Sequence, residues 1–334
     1  MSNVSLIKLD LPEVTEKLVD PINKLIETVS EGVGKFLAPM HRKKNALATA
    51  EEINVITRAL RENRDFPIAY KSENLSIDTT NLDEFVKRTG SRFVFQELRK
   101  QQNIESVTEK TFTLLQDSEM ASDQPVDQDW INRFFNSIED ISNEKMQDIW
   151  AKILAGEIIK PNTFSLRTLD ALKNISSDEA HLFQLLSQFL ITSGNDIFIP
   201  SDDELLGKYN VNYGQVLKLE ECGLISSQPF LSLNFDLDKV PDKAAKAYNT
   251  QTLLLIKAGN TESRVVSINV YLLSTVGKEL YKISTPAYNN QYLVDYGVSL
   301  RKQFHSQTIT AHVIKAIIGD RIEYDRQDIL PPKE

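Results

Sequence analysis

Cysteine is nearly absent: Cys222 stands alone among 334 residues. A single thiol cannot build a disulfide framework, and it excludes any zinc site made of cysteine pairs. Histidine is scarce as well. His41, His181, His305 and His312 share no metal-binding helical spacing, so all four read as structural. Cys222 falls at the end of an expected helix, where the dipole raises a thiol's pKa, and reads as a packing thiol. No apolar run approaches the roughly 18 residues of a membrane span. The mixed start Met1–Leu11, interrupted by Lys8 and Asp10, does not resemble a signal peptide. The phosphate-loop, dinucleotide-fold and nucleophile-elbow patterns are missing, and Gly32-Val33-Gly34 lacks a third glycine. These gaps lead us to expect a non-enzymatic protein without cofactor, metal or evident small-molecule substrate. A lone thiol suits the reducing cytoplasm.

Basic charge is also in deficit, with 38 Lys+Arg against 47 Asp+Glu and a net charge of -9. Residues 1–116 carry 17 of each sign, and the remainder carries 21 basic and 30 acidic residues. The excess therefore lies wholly beyond residue 116, which argues against general polyanion binding there.

What is present is mostly helical periodicity. Leu11–Pro39 spaces Val14, Leu18, Ile22, Leu25, Ile26, Val29, Val33, Phe36 and Leu37 on one face, with a kink expected at Pro21 and a small-residue notch at Gly32 and Gly34. Its mixed acids and lysines favour packing in a bundle or on a partner over peripheral membrane contact. The basic turn Arg42, Lys43 and Lys44 is a candidate phosphate or lipid contact and opens a helix over Asn45–Asn63. Asp65–Asn81 reads as a loop. Leu82–Gln116 reads as one long helix, or two joined near Gly90, with Phe85, Phe93, Leu98, Val107, Phe112 and Leu115 as its packing members. Such helices suggest self-association or a protein partner.

Asp117–Asp129, acidic and poor in large apolar residues, reads as a linker. Beyond it Trp130, Phe134, Trp150 and Leu154 mark a rigid helical core. Glu157, placed where an acid opposes the helix dipole, is expected to bridge to Arg167. Ser176–Glu179 and Ser201–Glu204 read as capping boxes. The helix opened at Ser176, followed from Asp196 by a short strand, two helices and strands, gives an order that suggests a winged helix. In it Gly223 closes the third helix, Val265–Leu273 is a strand, Thr275–Ile283 a helix, and Gln228–Thr250 a loop. Tyr213, Gln215 and Lys218 are the candidate contacts of that helix. Ser201–Ile225, however, sets Lys208 and Lys218 against Asp202, Asp203, Glu204, Glu220 and Glu221, the wrong sign for duplex DNA. Protein interaction fits better.

Several phrases carry a resemblance: Trp130-Ile131-Asn132-Arg133-Phe134-Phe135, Ile141-Ser142-Asn143-Glu144, Trp150 through Glu157, Pro161 and Phe164 through Leu169. With Leu219–Ile225 and Thr275–Leu280 they resemble the bacterial family called domain of unknown function 2806. The resemblance implies a bacterial or prophage origin and no assigned activity. The N-terminal helix followed by Arg42-Lys43-Lys44-Asn45 is similar to abortive-infection alpha proteins, which implies a role in phage defence.

The expected architecture is mainly α with an α+β C-terminal part. It comprises a helical region (1–116), an acidic linker (117–129), a central helical core (130–195), a winged-helix-like domain with a small sheet (196–285) and a helix-strand extension (286–334). A winged-helix DNA regulator and a membrane-associated effector are the alternatives.

Overall fold

The computed structural model describes residues 18–33, 68–71, 74–77, 84–118, 120–226, 231–259, 264–284, 286–319 and 321–332. The Arg42–Lys44 turn and the expected helix Asn45–Asn63 lie outside them. The chain divides into two compact units, Met1–Leu169 and Asp170–Glu334.

Unit 1 contains β1 (Leu18–Val19), α1 (Pro21–Val33), β2 (Ile68–Lys71), β3 (Asn74–Ile77), α2 (Glu84–Leu115), β4 (Ala121–Ser122), α3 (Gln128–Ile138) and α4 (Glu144–Ile159); α5 (Leu166–Asn174) spans the division. Pro21 does not kink a helix. It starts α1, because the first helical position has no use for the N–H that proline lacks. The Asp20 carboxylate accepts from the Ile22 amide at 2.9 Å. The apolar face of α1 buries Leu25 and Val29, and α1 packs on α2, α3 and α4. Gly32 permits that approach, since a Cβ there would sit 2.1 Å from the Phe135 ring. Asp65–Asn81, expected as a loop, contains the antiparallel hairpin β2–β3 with Ile68 opposite Ile77. The strand former at every second position (Ile68 and Tyr70, then Leu75 and Ile77) was the missed signal.

The stretch Asp117–Asp129, expected as an interdomain linker, lies inside unit 1. β4 pairs with β1, Ala121, Ser122 and Val126 are buried, and Lys24 Nζ donates to the Ser122 carbonyl at 2.7 Å. Small residues let the main chain enter the core while Asp117, Asp123, Asp127 and Asp129 stay exposed. Long α2 is a single helix through Gly90, and its second half packs on α4 through Val107, Thr111 and Leu115.

α4 buries Met146, Trp150, Ile153, Leu154 and Ile158, and Ala151 and Ala155 allow neighbours close. Trp130 stacks on Phe134 at 5.0 Å, and Trp150 meets Phe134 edge-on at 5.5 Å. Glu157 is 1% exposed within this apolar set. Its carboxylate accepts from the amides of Asn162 (2.6 Å), Thr163 (3.1 Å) and Phe164 (3.0 Å). Those amides take the place of the expected Arg167 bridge, Arg167 being exposed on α5. The Trp130 indole N–H donates to the Phe164 carbonyl at 2.8 Å, so the main chain of Phe164 is held on both sides.

Unit 2 carries α6 (Ser177–Leu186), β5 (Ile191–Ser193), β6 (Asp196–Pro200), α7 (Asp203–Lys208), α8 (Tyr213–Glu221), β7 (Ile225–Ser226), β8 (Ser232–Asp236), β9 (Ala244–Tyr248), β10 (Thr252–Lys257), β11 (Val265–Leu273), α9 (Thr275–Ile283), α10 (Asn290–Gln303), β12 (Thr308–Ile318) and β13 (Arg321–Tyr324). The nine-stranded sheet runs β13-β12-β10-β9-β5-β6-β11-β7, with β8 also on β11. Its pairs are antiparallel, for instance Leu254 opposite both Ala247 and Ala311. The sheet is far larger than the small one expected. Gln228–Thr250 does not loop out but supplies β8 and β9. The tail from 286 is no appendage, because Thr308–Val313 of β12 pairs with the whole of β10. Ser176 and Glu179 form the expected capping box, whereas the cap of α7 is Asp202 and not Ser201.

Two phrases about fifty residues apart in sequence meet in unit 2. α8 ends in a left-handed Gly223, with Leu224 N–H bonded to Leu219 O and Gly223 N–H to Glu220 O. The Leu224 carbonyl then accepts from Ser274 N–H at 2.9 Å, and Ser274 caps α9. A Cβ on Gly277 would lie 2.1 Å from that carbonyl oxygen.

Both tryptophans lie in unit 1, so their fluorescence reports its unfolding. Glu157→Ala should lower stability by about 3 kcal/mol or more, because buried donors lose their acceptor, and Glu157→Gln should cost less. An unchanged urea midpoint for Glu157→Ala would contradict this role. Gly277→Ala should destabilise unit 2 by about 1–3 kcal/mol despite alanine's better helix propensity, since a main-chain oxygen must move. Accelerated hydrogen exchange at the Ser274 amide is the check, and a stabilised variant would refute the close approach.

Candidate interaction surfaces

α7 and α8 are joined by a turn in which Asn210 adopts a left-handed conformation. Leu205, Leu206, Val211, Val216 and Leu219 anchor the pair inside unit 2. The period of these residues leaves Tyr213, Gly214, Leu217 and Lys218 on the outer face of α8. Tyr213 is 56% exposed, and its ring lies 6.4 Å from that of Tyr271 on β11. Gln215 does not project as a reader of bases. Its side-chain oxygen accepts from the Asn212 amide at 3.0 Å, while Asn212 caps the Gln215 amide at 3.1 Å. Lys208 is likewise engaged, by the Asp295 carboxylate. Of the three predicted contacts, then, Tyr213 and Lys218 are displayed and Gln215 holds the helix start.

Behind α7 a cleft of about 150 Å³ is lined by residues that include Asp202, Lys208, Asp295, Ser299 and Lys302. Asp202 caps α7 and accepts from the Ser299 hydroxyl. Asp295 accepts from Lys208, from Tyr209 OH at 2.6 Å and from Gln291 at 2.9 Å. Burial works to raise the Asp295 pKa, but these donors outweigh it and hold the carboxyl below its ordinary range. Tyr209, Phe189 and Tyr292 form one aromatic cluster. The cleft thus holds one ion pair, Lys208–Asp295, and a hydrogen-bonded Asp202 at the foot of a hydrophobic core. Cys222, at the end of α8, has its pKa pushed up to about 11, first by burial and then by Glu179, consistent with a packing thiol. His312 spends both ring nitrogens on Gln327 O and Thr310 Oγ1, and His181 and His305 are exposed. Among the described residues no group of three or more His, Cys, Asp or Glu could hold a metal ion, and no helix is long and apolar enough to cross a membrane.

Unit 1 presents a second surface. Phe93 and Leu98 were expected to pack, yet from Arg88 to Arg99 every side chain of α2 except that of half-buried Val94 is exposed. Phe93 is 58% and Phe95 65% exposed, and Leu98 is open as well. Arg88, Arg92 and Arg99 are exposed beside them and make no ion pair or hydrogen bond among the described residues. Lys100, by contrast, pairs with Glu139 at 2.8 Å. Sequence reasoning missed these arginines, although their spacing of four and seven residues was a readable signal. Trp130, Phe134, Trp150, Leu154 and Glu157 are all buried in the core of unit 1, and Arg167 is not.

No curated protein and no solved structure matches the chain. A family profile described as Protein of unknown function (DUF2806) matches residues 87–296, from the first half of α2 to α10. That span covers more than half of the chain and includes every phrase on which the resemblance rests, so the chain belongs to the DUF2806 family.

Proposed function

We propose that the chain is a non-catalytic, cytoplasmic interaction protein that docks a protein partner on the outer face of α8. The observation that supports this is the make-up of the face. Tyr213 and Leu217, one helical turn apart, are exposed there, while Gln215 is consumed by the cap and Lys208 by Asp295. An exposed aromatic beside an exposed leucine is the composition of a protein-binding anchor. The order α6, β6, α7, α8, β7 and β11, with β11 between β6 and β7, supports reading this part of unit 2 as winged-helix-like. Its chemistry departs from that of a duplex reader, since Lys218 is the remaining unpaired base on α8 among five acids of the Ser201–Ile225 segment. The likeness of the N-terminal region to abortive-infection alpha proteins suggests phage defence as the setting. The membrane reading is weaker, because the described part of its helix, α1, turns Leu25 and Val29 inward.

Site-specific photo-crosslinking tests the docking face. A benzophenone side chain at position 213 should give a discrete protein adduct in cells, and Leu217→Glu should abolish it. The same probe at exposed Lys282, on α9, should not form that adduct. Adducts common to both positions, or crosslinks to nucleic acid from position 213, would reject the reading.

A further inference from the structure

We propose that the exposed first half of α2 binds the phosphate backbone of single-stranded nucleic acid, with Arg88, Arg92 and Arg99 on phosphates and Phe95 stacking on a base. The inference is independent of the α8 surface, which lies in the other unit.

Four residues make the surface. At about 100° per residue, Arg88, Arg92, Phe95 and Arg99 fall within roughly 60° of arc on α2. Along the axis Arg92 lies about 6 Å beyond Arg88, and Arg99 about 10.5 Å beyond Arg92. A guanidinium offers a planar fork of donors that matches phosphate oxygens. These three are exposed and without a partner among the described residues, so binding breaks no existing ion pair. Phe95 sits between Arg92 and Arg99 on the stripe and is 65% exposed. A ring so placed is a stacking platform for an unpaired base.

Charge singles out this segment. Residues 84–100 contain five basic and two acidic residues in a chain of net charge -9. One acid, Glu97, lies on the other side of the helix and pairs with Lys100 at 3.9 Å. The other, Glu84, closes the amino-terminal end of the stripe and has its own partner. The complement of such a stripe is a linear polyanion. A membrane surface fits less well, because Phe93 points roughly 160° away from Phe95 and the two cannot enter one bilayer face together. A duplex keeps its bases stacked and leaves Phe95 no face to cover.

Fluorescence anisotropy of the full chain with a labelled oligothymidine about 16 nucleotides long tests the proposal. Saturable binding at low salt is expected. Replacing all three arginines by alanine should weaken it at least about tenfold and reduce the salt slope by about 2, at about 0.7 per lost phosphate contact. Phe95→Ala should cost about tenfold without changing the slope. Phe93→Ala, on the opposite side of the same helix, should bind like the parent. All these side chains are exposed, and an unchanged circular dichroism spectrum verifies folding. The proposal fails if the oligonucleotide does not bind or if the triple variant binds as well as the parent. It fails equally if a duplex or phosphatidylserine vesicles bind as tightly with the same arginine dependence.

Discussion

The carboxylate of Glu157 answers three main-chain amides in the interior of unit 1, and the aromatic core is arranged around that fact. A chain leaving α4 must reverse within a few residues, which Asn162 achieves in a left-handed conformation. The turn directs its amides inward, and those of Thr163 and Phe164 are buried where water cannot pair with them. Without an acceptor they would cost about 1–3 kcal/mol each. Glu157 meets that need from the preceding helix, and Trp130 completes it by donating to the Phe164 carbonyl. Stacking of Trp130 on Phe134, and the edge-on contact of Phe134 with Trp150, then place α3 and α4 relative to one fixed loop. Trp130, Glu157 and Phe164, from three of the phrases that carry the family resemblance, are therefore parts of a single polar clasp inside a hydrophobic shell. Unit 2 solves the same problem with a backbone carbonyl. Leu224 O, left over at the end of α8, is met by Ser274 N–H, and Gly277 keeps its surroundings free of side-chain atoms.

Much of this could be read from the residues because local chemistry fixed it. Val265–Leu273 is a strand and Thr275–Ile283 a helix with the predicted bounds, set by β-branched density before a serine cap. The capping box at Ser176 and the terminal Gly223 of α8 are likewise where short-range hydrogen bonding puts them. The failures share a cause, which is that partnership was decided at long range. β8 and β9 look like parts of a polar insertion, and become strands because β11 and β10 offer edges to pair with. β4 looks like part of a linker because its residues are small, and smallness is what lets it enter the core. Pro21 suggested a kink only because the helix had been started too early.

The candidate surfaces divide in the same way. Tyr213 and Lys218 could be placed on the outside of α8 from periodicity, but nothing in the spacing said that Gln215 would turn back to cap Asn212. The Asp295 that engages Lys208 comes from α10, more than eighty residues on. On α2 the error ran in the opposite direction. Phe93 and Leu98 were assigned to packing by their hydrophobicity alone, whereas the residues that α2 buries begin at Asn103 and Ile104, and Phe93 and Leu98 stand exposed.

Net charge is a poor guide to where a polyanion can sit on such a chain. Exposed charges act over about a Debye length, roughly 8 Å at physiological ionic strength. The acids of the Ser201–Ile225 segment suppress phosphate binding at α8, where Lys208 is already neutralised. They say little about α2, where three guanidiniums follow one another along a single line of the helix. A chain of overall negative charge can therefore reject nucleic acid at the helix pair whose order suggests it, and accept it at a helix whose sequence suggested only packing. The balanced charge of residues 1–116 conceals this, because a sum of zero over a hundred residues is compatible with a segment of +3 over seventeen. What decides binding is whether the basic side chains already have partners, and in α2 Lys100 and Lys110 are paired with acids while the arginines of the stripe are not.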